Sequence, residues 1–238
     1  MKITTVLFDL DGTLLPMDQN VFLKAYFGGI TRRLAPHGYT PETLVDSIWK
    51  GTAAMIRNDG SVLNEDAFWN AFTAIHGEKA RNDIPFFDAF YLEDFDKVAA
   101  SCGHTPHARE TVDALHARGI RTVLATNPIF PAIATEKRMR WAGLEPSDFE
   151  LYTTYENARY CKPNPAYYQE ILQKLGLDAR ECLMVGNDVE EDMIAQTLGM
   201  KVFLLTDCLI NKYEKDVSVF PHGSFPELTA YINELLGQ

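Results

Sequence analysis

The sequence predicts a doubly wound α/β fold, a parallel sheet with helices on both faces, carrying one all-helical insertion. Three observations lead there. Short, almost uninterrupted apolar runs alternate with segments of helical length along most of the chain. The helical segments tend to begin near proline and to stop at glycine. One long stretch after the first apolar run shows helical periodicity and no convincing strand.

The apolar runs lie at 3–8, 120–125, 149–153, 182–185 and 201–205. Near-continuous apolar character suits strands buried on both faces of a parallel sheet, where an antiparallel sheet with one wet face would alternate. The helices expected between them span 107–118, 131–142, 165–175 and 189–198, stopped by Gly119, Gly143, Gly176 and Gly199. Strands and helices alternating at this length imply right-handed crossovers.

The rhythm breaks from about residue 17 to about residue 98. Aromatic residues recur there at helical spacing (Phe22, Tyr26, Phe27; Trp49; Phe68, Trp69, Phe72; Phe87, Phe90, Tyr91, Phe95), with breaks near His37-Gly38, Asn58-Asp59-Gly60 and His76-Gly77. The expected organisation is an α/β domain built from 1–16 and 99–238, with 17–98 as an inserted helical cap. The aromatic stripes are expected to pack a core, leaving a ligand role to a few of them. No internal repeat or low-complexity segment interrupts the chain.

Composition bounds the function. The chain has 238 residues, 46% hydrophobic and 23% charged, enough for a sizeable core and typical of a soluble globular protein. Thirty-three acidic against 22 basic residues give a net charge of -11, and no Lys/Arg run stands out, so nucleic acid is not an expected partner. Cys102, Cys161, Cys182 and Cys208 lie far apart with no CxxC pair, which suits reduced thiols better than a structural zinc site or a disulfide framework. The N-terminal apolar run meets Asp9 at once, and no later run is long enough to span a membrane. A cytoplasmic protein with no membrane partner is expected.

Four polar clusters fall at or just beyond the carboxyl ends of the expected strands, where open α/β sheets bind ligands. The first is Asp9-Leu10-Asp11-Gly12-Thr13. Residues two apart in an extended strand point the same way, so Asp9 and Asp11 project together. Two carboxylates that close repel unless a cation lies between them, and oxygen-only ligands favour a hard ion such as Mg²⁺. Two acids and a glycine after a strand can equally be a simple turn.

The second cluster is Thr126-Asn127-Pro128, whose hydroxyl and backbone N–H can hold a phosphoryl oxygen or merely open a turn. The third is Cys161-Lys162-Pro163-Asn164-Pro165. Here Asn164 can cap a helix starting at Pro165, and Pro163 holds Lys162 extended before it. Lys162 is then either a solvated lysine or a fixed cation aimed at phosphate. The fourth runs from Gly186-Asn187-Asp188 to Asp192 and opens a helix, placing Asp188 and Asp192 on one face. Acids in a first helical turn can also serve the helix dipole alone.

Taken together and in this order, Asp9-Leu10-Asp11-Gly12-Thr13, Thr126, Lys162 and Gly186-Asn187-Asp188 with Asp192 resemble the four motifs of the haloacid dehalogenase superfamily. The resemblance covers the whole sheet domain. The long helical gap after the first motif resembles the cap of the phosphoglycolate-phosphatase and β-phosphoglucomutase branch. The other usual cap site, between Thr126 and Lys162, is already filled by a helix and a strand.

The resemblance implies a phosphatase acting on a small phosphorylated metabolite with Mg²⁺. Asp9 would form an aspartyl-phosphate, and Asp11 would act as general acid and base while offering its backbone carbonyl to the metal. Thr126, the Asn127 N–H and Lys162 would hold the transferred phosphoryl group. Asp188, and Asn187 with it, would complete the metal site, backed by Asp192. One position departs from the pattern. Many relatives carry an acid straight after the glycine where this chain has Asn187, so either its amide oxygen or Asp188 binds the metal.

Other readings remain open at this level. A phosphomutase of the same superfamily uses the same motifs and differs in excluding water. A 2-haloacid dehalogenase does not need the Asp11 acid, and a phosphonatase would lack Asp11 and use a cap lysine. A catalytically inactive binding module is the alternative outside enzymes. The cap cations Lys24, Arg32, Arg33, Lys50 and Arg57 are candidates to meet an anionic substrate, or surface charges.

Overall fold

The structure is a computed structural model and describes residues 2–237. Among them, five parallel strands form one sheet in the order β2-β1-β3-β4-β5. They are β1 (Thr5–Phe8), β2 (Arg121–Leu124), β3 (Cys182–Gly186), β4 (Lys201–Leu205) and β5 (His222–Gly223). β1 is an interior strand and pairs with both β2 and β3 along its whole length, Phe8 lying opposite Leu124 on one side and Val185 on the other. Asp9 therefore emerges between two neighbouring strand ends.

Alternate residues of the strands feed two cores, as the two-residue period requires. Val6, Phe8, Val185 and Leu205 join one core with Val112, Leu115 and Met139. These three come from α6 (Pro106–His116) and α7 (Ala132–Trp141). α9 (Phe225–Leu235) adds Leu228 and Ile232 to the same core. Leu7, Val123, Met184 and Leu204 pack on the opposite face against Tyr167, Tyr168 and Ile171 of α8 (Pro165–Leu175). Helices thus cover both faces of a parallel sheet, the doubly wound arrangement.

Between β1 and β2 the regular elements are helical: α1 (Gln19–Leu34), α2 (Pro41–Ile56), α3 (Asn64–His76), α4 (Lys79–Asn82) and α5 (Ile84–Ala89), then a π-helical turn at Phe90–Asp94 and 3₁₀ turns at Phe95–Ser101. Capping explains the starts. The Asp18 carboxylate accepts from the N–H groups of Asn20 and Val21 at 2.8 and 3.2 Å, and Thr40 caps α2 ahead of Pro41. The chain leaves for this segment and returns side by side: Met17 bridges Cys102, and the Gly103 N–H donates to the Pro16 carbonyl at 2.7 Å. The aromatic residues pack inward. Tyr26 meets Phe130 edge-on at 5.4 Å, and Phe95 meets Trp141 at 4.9 Å, so the helical segment and the sheet share one continuous core.

Two expected elements differ, and one strand appears that was not expected. Residues 149–153 do lie along β2, with Glu150 N–H donating to Thr122 and Leu124 N–H to Leu151, both at 2.9 Å, yet they amount to one bridge at Tyr152. Asn157 stops the strand by accepting from Thr154 N–H and donating to the Tyr152 carbonyl, each at 2.9 Å, which closes a turn. The helix expected over 189–198 reduces to 3₁₀ turns at Met193–Leu198. Its first N–H groups are taken by the Asp188 carboxylate instead, at 2.7 and 2.9 Å from Glu190 and Glu191. β5 was not expected: two residues behind Pro221 are too short to carry a pattern.

Candidate active site

The Asp9 backbone N–H still belongs to the sheet, donating to the Val185 carbonyl at 2.9 Å, while its side chain reaches the cleft beyond the strand ends. Asp9 is 7% exposed. Its Oδ1 accepts from Lys162 Nζ at 3.0 Å, and its Oδ2 lies 3.3 Å from the Thr13 hydroxyl. Gly12, with φ +85°, turns the chain sharply here; a Cβ at this position would overlap the Asn187 amide.

Lys162 is 1% exposed and sits between Asp9 and Asp192, whose Oδ1 is 2.6 Å from Nζ. Burial alone would discharge the amine, but Asp192 and Asp9 outweigh it and hold its pKa well above the ordinary lysine range. Asn164 caps α8 just behind it, accepting from the Ala166 N–H at 3.0 Å. The lysine is therefore fixed at both ends, by the helix it precedes and by the carboxylates it meets.

Thr126 and Asn127 follow β2 and line the same cleft. The Thr126 carbonyl is anchored by the Tyr167 and Thr153 hydroxyls at 2.9 and 2.6 Å. Asn127 ties three loops together, its Oδ1 accepting from the Lys162 N–H at 3.2 Å and its Nδ2 donating to Glu191 at 3.0 Å. After β3, Asn187 is engaged at both ends. Thr13 Oγ1 lies 3.0 Å from its Oδ1, and its Nδ2 donates to the Cys208 carbonyl at 2.7 Å. Asp188 uses Oδ1 for the two turn N–H groups, and its own N–H donates to Asp192 Oδ2 at 3.0 Å. Gly186 is where Asp192 folds back over the strand end; a Cβ there would overlap its carboxylate. The structure thus brings Asp9, Asp11, Thr126, Asn127, Asn187, Asp188 and Asp192 onto one cleft, with Lys162 beneath them.

Asp11 has a partner that the motifs do not contain. Its Oδ2 is ion-paired with Arg138 Nη1 from α7. Arg138 is 0% exposed, stacks its guanidinium 4.4 Å from the Phe130 ring, and donates to the Ala134 carbonyl and Thr135 hydroxyl at 3.3 Å. Burial, reinforced by Asp9, lifts the Asp11 carboxyl above its ordinary range even though Arg138 opposes it. The sequence carried one signal for Arg138: it occupies the inward stripe of α7 with Ala134, Thr135 and Met139, where periodicity places small and apolar side chains. Glu191 was also not singled out. It lines the cleft, and burial pushes it up to about 8.

The donor set fits a hard divalent cation. Five carboxylates line the cleft, and the Asp11 Oδ1 is buried with no hydrogen-bond partner. Among the described residues no three carboxylate, thiol or imidazole groups already form a metal-sized cluster. Mg²⁺ takes one or two carboxylates and completes its shell with water and substrate phosphate, a demand the cleft carboxylates can meet. Burial raises Asp188 above its ordinary range and Asp192 to about 7.

These shifts have a sign. A carboxyl raised in the folded state stabilises the fold below its unfolded value, and that contribution is lost as pH rises through the folded pKa. With Glu191 pushed up to about 8, the metal-free protein is expected to lose melting temperature as pH rises from about 5 to 8. Mg²⁺ should restore more of it at pH 8 than at pH 5, because it binds the ionised form. Thermal melts in chelator and in Mg²⁺ across this range check both; a flat profile, or an equal Mg²⁺ effect at both ends, would contradict the charge balance described.

Comparison with known proteins bears on the family and the fold. A family model described as haloacid dehalogenase-like hydrolase matches residues 3–195. A curated relative, pyrophosphatase PpaX of Bacillus pumilus, is 27% identical over 199 residues, covering 84% of this chain and 81% of its own. Two solved structures share the fold at low identity. A predicted phosphoglycolate phosphatase from Haemophilus somnus has a TM-score of 0.59 and 19% identity, covering 97% of this chain and 98% of its own. A 2-haloacid dehalogenase from Pseudomonas syringae has a TM-score of 0.63 and 18% identity, covering 98% and 99%. No helix of the described residues is long and apolar enough to cross a membrane.

Proposed function

Because this chain belongs to the haloacid dehalogenase-like hydrolase family, we propose that it is a Mg²⁺-dependent phosphatase of a small phosphorylated metabolite, with Asp9 as nucleophile. The observation that carries this reading is the Asp9–Lys162–Asp192 chain at the carboxyl end of β1: a buried carboxylate facing a cleft, with a fixed ammonium 3.0 Å away. Asp9 would attack phosphorus, and the leaving oxygen would depart with a proton from Asp11. Water would then attack the aspartyl-phosphate, giving its proton back to Asp11 and freeing phosphate and Asp9. Thr126, the Asn127 N–H and Lys162 would hold the phosphoryl oxygens, and the Lys162 charge would oppose the negative charge that builds on them. Arg138 would hold the Asp11 carboxyl in position. Mg²⁺, when bound, supplies Lewis-acid polarisation and offsets the carboxylates; Asp9, the Asp11 carbonyl and Asp188 or Asn187 would hold it. Residues 17–98 would act as the cap, a role consistent with Trp49, Thr52 and Ile56 lining the same cleft as Asp9.

An assay on generic phosphate esters with and without Mg²⁺ tests the reading: activity should require the metal and vanish in chelator. Verified metal depletion with activity intact would sink it. The same assay ranks the metal ligands. Asn187 is already committed to Thr13 and Cys208, whereas Asp188 uses Oδ1 alone on the turn. A charged oxygen is also the better Mg²⁺ donor. Asp188→Ala should therefore raise the Mg²⁺ concentration needed for half-maximal rate more than Asn187→Ala or Asp192→Ala does. The reverse order would make the Asn187 amide the direct ligand.

A further inference from the structure

An apolar cavity of about 80 Å³ lies beside the catalytic cleft, itself about 280 Å³. Leu23, Trp49, Ile129 and Phe130 wall both, and Phe68 and Trp69 line the smaller cavity. The cleft alone exceeds the ~150 Å³ space that takes up a benzene ring. Trp49 and Ile56, 47% and 45% exposed, turn large apolar surfaces toward the cleft that a bound ligand would cover.

Charge narrows what that ligand can be. Among the described residues, Asp88 is the only Asp, Glu, Lys, Arg or His that lines the cavity, and the charged residues lining the cleft are all acids. The cap cations that could have met an anionic substrate are elsewhere. Lys24, Arg32 and Arg33 border a separate groove with Asp94 and Lys97, Lys50 is paired with Asp46 at 2.7 Å, and Arg57 lines neither space. Lys162, already beneath the cleft, is spoken for by Asp9 and Asp192. A second anionic group carried into the cavity would lose its hydration, gain no cation, and face Asp88.

We propose that the leaving group of the substrate is uncharged and apolar, an aryl or alkyl group seated against Trp49 and Phe130 between the helical insertion and the sheet, and that the site selects against phosphate esters bearing a second anion. This rests on the phosphatase reading and narrows it to a substrate class. Burying one such group against aromatic walls is worth roughly 10- to 100-fold in affinity.

The test uses unreactive phosphonates and titration calorimetry on the full chain with Mg²⁺. Benzylphosphonate should bind at least about 10-fold more tightly than methylphosphonate, and phosphonoacetate, which carries a second anion, no more tightly than methylphosphonate. Trp49→Ala, at a half-exposed position, should bring the benzyl-to-methyl affinity ratio toward one, and Ile129→Ala should move it the same way. Phosphonoacetate binding as tightly as benzylphosphonate would overturn the proposal, as would a benzyl preference that neither variant changes. Hydrolysis of benzyl phosphate, and its loss in Asp9→Asn, is read separately: anion-selective binding with hydrolysis intact refutes only the leaving-group class, and absence of both refutes the phosphatase reading as well.

Discussion

Asp9→Asn is expected to abolish phosphate-ester hydrolysis, by about 10⁴-fold or more, because no nucleophile remains. The amide matches the carboxylate in shape; its oxygen can still accept from Lys162 and its NH2 can donate to the Thr13 hydroxyl, so the fold should survive. Removing one negative charge from a cleft lined by acids should leave the metal-free melting temperature unchanged or higher. Asp11→Asn is a different lesion. Its backbone carbonyl remains for the metal while proton transfer is lost, typically costing about 10²–10⁴-fold. Equal, mild losses in the two variants would contradict the division of labour proposed for these carboxylates.

Arg138→Met should destabilise the fold markedly. It leaves the Asp11 carboxylate without its counter-charge in a largely buried setting, and removes a guanidinium packed on Phe130. Breaking a buried pair from one side costs roughly 3–5 kcal/mol, and the Asp11 side chain is 22% exposed, so about 3 kcal/mol is expected here. For a chain of this size that lowers the melting temperature by roughly 6–12 °C. Adding Asp11→Asn to the same background should recover part of the loss, because an unpaired amide is cheaper to bury than an unpaired carboxylate. Thermal melts of the two single variants and the double variant close the cycle. Additive losses, or no loss in Arg138→Met, would show the pair to be incidental.

Much of the sheet was legible because burial on both faces writes an unbroken apolar run, as in Cys182–Gly186 and Lys201–Leu205. Helix α8 was legible to the residue, since Asn164, Pro165 and Gly176 mark both ends chemically. Where polar side chains compete with the backbone, the pattern misleads. Asp188 takes the N–H groups that would have started a helix at 189, and Asn157 ends the strand beside β2. Four site clusters stood out because strand-end acids, a lysine before a capped helix and a glycine turn are local signals. Arg138 did not, since its role is set by a partner far away in sequence, and a charged residue on an apolar stripe points inward only once the helix is packed. The loop-tying role of Asn127 and the placement of Lys24, Arg32 and Arg33 around another groove likewise depend on tertiary geometry.

The central claim is that Asp9 carries the phosphoryl group during turnover. Mixing the enzyme with a rapidly cleaved phosphate ester and Mg²⁺, quenching in acid within a turnover, and mapping peptides by mass spectrometry tests it directly. The account predicts one phosphoryl group on the peptide that contains Asp9, absent without Mg²⁺ and absent in Asp9→Asn. Full turnover with no modified peptide at any quench time, or a phosphoryl group on another residue, would contradict it.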